Sequence, residues 1–157
     1  MLTKDQKATN NDTFRHIERV RNLLNACVVD LLRRAELHDQ TKLESPEVEA
    51  FTEYTPKLAT CTYGSDEYKS YLAAIKPALD HHYAHNRHHP EHHKHGVDDM
   101  NLLDIVEMLC DWKAASERHN DGNIRKSIEG NADRFGLSPQ LVRILENTAD
   151  VMFGAGK

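Results

Sequence analysis

Residues 102–113 read Leu102-Leu103-Asp104-Ile105-Val106-Glu107-Met108-Leu109-Cys110-Asp111-Trp112-Lys113. On an α-helical wheel the apolar residues cover most directions, and only Asp104, Glu107 and Asp111 form a narrow polar stripe, acidic throughout. A helix that is apolar on most sides is a buried helix. Like charges at this spacing repel, so the stripe is either a thin solvent-facing edge or an acidic line turned toward a metal ion. Asp98 or Asp99 is the expected cap, with the helix running from Met100 to about His119.

The same period recurs on both sides. From Thr13 to Leu37, Ile17, Val20, Leu24, Cys27, Leu31 and Ala35 form an apolar stripe, with Asp12 or Thr13 as cap. Ser45-Pro46-Glu47 is a helix-start signal for about two turns through Phe51. Thr55 to Asp66, with Pro56 and Gly64, reads as a loop. Tyr68, Leu72, Ile75, Leu79 and His82 define another long helix, which Pro77 should bend or restart and Pro90 should end. His88 to Asp99 reads as a polar loop, and Asp121-Gly122 as a turn. Ile124, Ile128 and Phe135, closed by Gly136, suggest a helix; Ser138-Pro139 starts the last, with Leu141, Val142, Leu145, Ala149 and Met152 inward. No strand alternation of useful length, repeat or linker occurs. The expectation is an all-α fold: one compact helical domain over 13–153, a flexible 1–12 and a frayed 154–157, with about five to seven helices.

Composition narrows the function. With 157 residues, 39% apolar and 29% charged, the chain suits a single core and is neither disordered nor membrane-spanning. Its start is polar and has no signal-peptide core, which points to the cytoplasm. A net charge of −5 disfavours a nucleic-acid polymer as partner. Three widely spaced cysteines give neither a zinc ribbon nor a disulfide framework, and Cys27 and Cys110 are read as small apolar helix residues. Histidine is the outlier: 11 in all, eight of them between His81 and His95.

The chemistry-bearing residues converge on a metal. His38-Asp39, with Lys42 three residues on, places an imidazole beside a carboxylate at a helix end. In a helical 81–89, His81, His85 and His88 share one face and His82, Asn86 and His89 the next, a spacing at which imidazoles can share an ion. His82 continues the apolar line and is the expected inner ligand. His16 is a weaker candidate, because an unbroken helix would hold it roughly 33 Å from His38.

This pattern resembles the HD superfamily of metal-dependent phosphohydrolases. His38-Asp39-Gln40-Thr41-Lys42 is similar to that family's HDxxK form, and Asp111 to its last ligand. His81-His82 resembles the paired histidines of its cyclic-dinucleotide branch, but the Gly-Tyr-Pro run is missing, so that specificity is not implied. The stretches His88-His89-Pro90-Glu91 and Glu107-Met108-Leu109-Cys110-Asp111-Trp112 also look like those of a group of small phage and bacterial proteins.

The resemblance implies an HD-like bundle hydrolysing a nucleotide or other small phosphate ester with one or two divalent transition-metal ions (Mn, Fe, Co, Ni or Zn). His38, Asp39, His82 and Asp111 would be ligands, with His81, His88 or His89 completing a second site and His16 as a further candidate. Asp39, Lys42 and Glu91 would take catalytic roles, and Asn86, Arg87 and His88 would contact substrate; Asn86, Arg87 and Glu91 could instead support the metal ligands from behind. A homo-oligomer is compatible with the sequence. Two other readings are a di-iron oxygenase of the same superfamily and a non-catalytic metal-binding or interaction module.

Overall fold

The computed structural model describes residues 2–62, 65–118 and 122–154. Among these the fold is all-α, with no strand. The α-helices are α1 (Lys4–Leu37), α2 (Glu47–Thr60), α3 (Asp66–His85), α4 (Leu102–Ser116), α5 (Ile124–Phe135) and α6 (Pro139–Phe153); short 3-10 turns cover Gln40–Leu43, Pro90–His92 and Gly96–Asp99. No helix is long and apolar enough to cross a membrane, among the described residues. The chain divides into two compact units, one ending at Leu37 and the other starting at His38.

The first unit is α1. It begins nine residues before the expected Thr13, because Thr3 and Gln6 cap it reciprocally: each backbone N–H donates to the other's side-chain oxygen. Thr13, read as a cap, lies mid-helix and donates its hydroxyl to the Thr9 carbonyl. None of the residues of α1 is buried, Ile17, Val20 and Leu24 of the expected inward stripe included. Ion pairs one turn apart, Arg21–Glu18 and Arg34–Asp30, support the helix locally.

In the second unit, α2 packs on α3, and α4, α5 and α6 pack in sequence. Ile105, Met108, Leu109, Trp112, Ile124, Ile128, Leu145 and Ala149 form the apolar core, with Phe135, Leu141 and Val142 against it. Met152, expected inward, is exposed, and so are Cys27 and Cys110. Gly136 ends α5 at φ 64, a left-handed conformation that glycine adopts without a Cβ clash.

Two proline expectations are corrected. α2 continues through Pro56 to Thr60; Pro56 is exposed, and the carbonyl of Thr52, left without its helical donor, belongs to an exposed residue that water can reach. α3 runs unbroken through Pro77, which faces solvent; the carbonyl of Ala73, left without its helical donor, belongs to an exposed residue that water can reach. Further on, α4 is capped by Asn101 and not by Asp98 or Asp99. The Asn101 side chain accepts from Leu103 and Asp104, and Asp104 accepts from the Asn101 N–H. Asp121 and residues 155–157 lie outside the described residues.

Candidate metal centre

Asp39 is the pivot. It follows α1 at φ 56 and ψ 14, a left-handed conformation that costs an ordinary residue about 1–2 kcal/mol and is tolerated best by Asn and Asp. The turn throws the chain into the 3-10 segment Gln40–Leu43, and Lys42 then reaches back to Asp39 Oδ2 at 2.6 Å. The two carboxylate oxygens face different sets of groups. Oδ1 lies 3.2 Å from His82 Nε2 and 3.5 Å from His88 Nε2. On the other side, Oδ2 lies 3.6 Å from His38 Nε2, which is itself 3.8 Å from Asp111 Oδ1.

His82 comes from the buried face of α3, continuing Ile75 and Ala78. The helix stops at His85; Asn86 turns extended and its amide donates to Thr41 Oγ1 and to the His82 carbonyl. His88 and His89 therefore arrive from a non-helical return. Their rings stand 4.1 Å apart, and His89 Nε2 is 2.9 Å from His82 Nε2. The helical i, i+7 pairing of His82 with His89 is thus realised by the chain reversal, and the same reversal buries His88, a candidate both for substrate contact and for the second metal site.

Two carboxylates behind the histidines orient the rings. Glu47, the first residue of α2, is fully buried; its oxygens accept from His81 Nδ1 at 2.7 Å and His82 Nδ1 at 2.8 Å. Burial works against its charge, but His81, Thr41 and His82 hold its pKa below the usual carboxylate range. Glu107, from the acidic stripe of α4, accepts from His38 Nδ1 at 3.0 Å on Oε1, and the same oxygen lies 3.1 Å from His88 Nδ1. An ionised carboxylate can only accept, so the Nδ1 atoms carry protons, and Nε2 is the nitrogen that would meet a metal, in His38 after it gives up its own proton.

Electrostatics fits the same reading. Burial would raise the Asp39 pKa, but the close approach of His82, the Lys42 ammonium bonded to Oδ2 and the nearby His38 keep the carboxyl far below its ordinary range. Asp111 is also held low, by His38 and the nearby His88, against its burial. The Asp111 and Glu107 carboxylates push His38 up to about 10. His89 is pushed down to about 3 by burial and by the neighbouring His88 and His82, which leaves it a neutral donor.

The donor set fits a divalent ion. Asp39, His82, His88 and His89 each offer an atom within 4.8 Å of the others, as do His38, Asp39 and Asp111, and also His38, His88 and Glu107. Asp39 Oδ1 and His88 Nε2 are buried and make no hydrogen bond of sound geometry, a costly arrangement that a cation between them would relieve. Mixed imidazole and carboxylate ligands suit a transition metal.

A model of DUF5662, described as a family of unknown function, matches residues 5–151. The chain belongs to that family. No curated protein and no solved structure matches it. The match runs through α1 and through every residue of the centre.

The other sequence candidates of this DUF5662 chain fall elsewhere. His81 is half-buried, held by Glu47 and stacked on His85, outside the clustered groups. Arg87, a substrate candidate, reaches the buried Asp104 at the start of α4, and Glu91, a catalytic candidate, pairs with Arg134 of α5 at 2.7 Å; neither is among the clustered donor groups. Asn86 is buried and braces Thr41. His16 is exposed on α1, which is helical throughout Lys4–Leu37. Sequence reasoning missed Glu47, read only as a first-turn acid. Glu107 was visible as part of the acidic stripe, but nothing in the spacing said which histidines it would hold.

Proposed function

We propose that this DUF5662 member is a metal-dependent phosphohydrolase acting on a nucleotide or another small phosphate ester. The observation that carries the reading is the divided use of Asp39, whose Oδ1 turns to His82 and His88 and whose Oδ2 turns to His38, with buried oxygen and nitrogen atoms left facing each other. A divalent ion held there would supply Lewis acidity and lower the pKa of a water molecule to near neutrality. Asp39, His82, His88 and His89 would hold one ion, and His38, Asp39 and Asp111 a neighbouring one. Glu47 and Glu107 keep the imidazoles in the tautomer that binds through Nε2. Lys42, partly exposed beside Asp39, offers the positive charge that draws a phosphoryl oxygen and steadies the charge building on it. The HD-like order of His38-Asp39, His82 and Asp111 supports the same chemistry.

Elemental analysis of untagged wild type and Asp39→Ala, followed by a metal-supplemented screen of nucleotides and p-nitrophenyl phosphate, tests this. The expected result is one or two transition-metal ions per chain in wild type, lost in the variant, with phosphate release from at least one substrate only when metal is bound. Equal metal in both proteins, or none after supplementation, overturns the metal centre. Metal without phosphate release overturns the hydrolase and leaves a non-catalytic metal-binding module.

A further inference from the structure

Glu107 contacts two of the clustered histidines, His38 and His88, which belong to different groups of donor atoms. Its Oε1 accepts from His38 Nδ1 at 3.0 Å and lies 3.1 Å from His88 Nδ1. The opposite nitrogens of those rings address different oxygens of Asp39: His88 Nε2 lies 3.5 Å from Oδ1, and His38 Nε2 lies 3.6 Å from Oδ2. The two rings sit 4.4 Å apart at 39°, so neither can swing without displacing the other. Glu107 itself is largely buried, on a helix whose Met108 and Leu109 anchor the apolar core. Glu47 does the comparable work for only one half, through His82.

We propose that Glu107 is the positioning residue that couples two adjacent divalent-cation sites, one built on Asp39, His82, His88 and His89 and the other on His38, Asp39 and Asp111. The inference rests on the metal-centre reading above and adds to it that the two sites are set by one oxygen. An ion that fixes either ring fixes the Glu107 carboxylate, and that carboxylate then presents the second ring in the right plane. Loss of the negative oxygen removes the orienting contact from both rings at once, so both sites weaken together. The competing arrangement has Glu107 as a direct ligand with His38 and His88, whose donor atoms also lie within reach of a single ion.

The experiment is a Co²⁺ titration of metal-free, untagged wild type and Glu107→Gln, reading visible absorption for coordination and elemental analysis for bound ions. Far-UV circular dichroism in chelator checks the fold, and Glu107→Asp, which keeps the charge but draws the oxygen back, replaces Glu107→Gln if that variant does not fold. Outer partners of metal-bound histidines are worth about 10–100-fold in affinity. The expected result is two ions in wild type and a loss of that order at both sites in the variant, with the absorption bands unmoved. Unchanged affinities, or weakening confined to one ion, overturn the proposal. Loss of one ion with shifted bands makes Glu107 a ligand and overturns it as well. A wild type that takes up one ion removes the coupling but leaves the metal centre standing; one that takes up none removes the metal centre itself.

Discussion

Asp39 carries two burdens at one position, a left-handed backbone and a carboxylate shared between two sets of donors. They can be separated by substitution. Asp39→Ala should lose bound metal and also about 1 kcal/mol or more from the strained backbone. Asp39→Asn, which tolerates that conformation better, should lose the metal with less of the backbone cost, so urea melts of the two metal-free variants should differ. Equal melts would mean that the backbone conformation costs alanine nothing here. Glu47 is the second test at this scale. Glu47→Ala strands the Nδ1–H donors of His81 and His82, one of them fully buried. The metal-free variant should be destabilised by about 2–3 kcal/mol, the cost of unsatisfied buried donors, measured by urea denaturation. His38 has its own signature. In the metal-free protein its pKa is held at about 10, above the ordinary 6.5, so its stabilising contribution is complete below about pH 6.5 and fades as the pH rises through 10. A ring charged at neutral pH must give up a proton to bind a metal, so metal uptake near pH 7 should release protons. Calorimetry in buffers of different ionisation enthalpy reads this directly, and a binding enthalpy independent of buffer would contradict it.

At the scale of the element, α4 decides how well the centre is held. Glu107 and Asp111 sit one turn apart on its polar stripe, while Ile105, Met108, Leu109 and Trp112 fix its rotation in the core. The helix start is secured by the reciprocal Asn101–Asp104 cap and by Arg87, which arrives from the histidine-rich return. Asn101→Ala should cost about 1 kcal/mol, visible as a lower Tm, with metal stoichiometry retained. A fall in stoichiometry would mean that the cap positions the acidic stripe as well as starting the helix. α3 works differently: its last turn delivers His82 into the interior, and its end at His85 frees the chain to bring His88 and His89 back. A helix continued through His89 would have placed His88 one-third of a turn away from His89, and the structure instead brings both toward Asp39.

For the whole molecule, the candidate ligands come from residues as far apart as His38 and Asp111, so an ion binding them should stabilise the folded second unit and have little affinity for the unfolded chain. Metal at about 100 times its Kd should add roughly 2.7 kcal/mol and raise Tm accordingly; a Tm unchanged by metal and by chelator would speak against a preformed centre. Much of this was legible in the residues alone. Helical periodicity depends on nearest turns, so the all-α class, α5 with its Gly136 stop and α6 with its Ser138 start could be read from local pattern. The inward place of His82 followed from the apolar line that it continues, and the acidic stripe of α4 from its isolation on an apolar helix. Local pattern could not say where the chain reverses after His85, which carboxylate stands behind which imidazole, or that Arg87 and Glu91 would be taken up by Asp104 and Arg134. Those choices join residues 17 to 69 positions apart. They are made by burial: a charged or hydrogen-bonding group that leaves water must find a partner, and only the packed chain determines which partner is near enough.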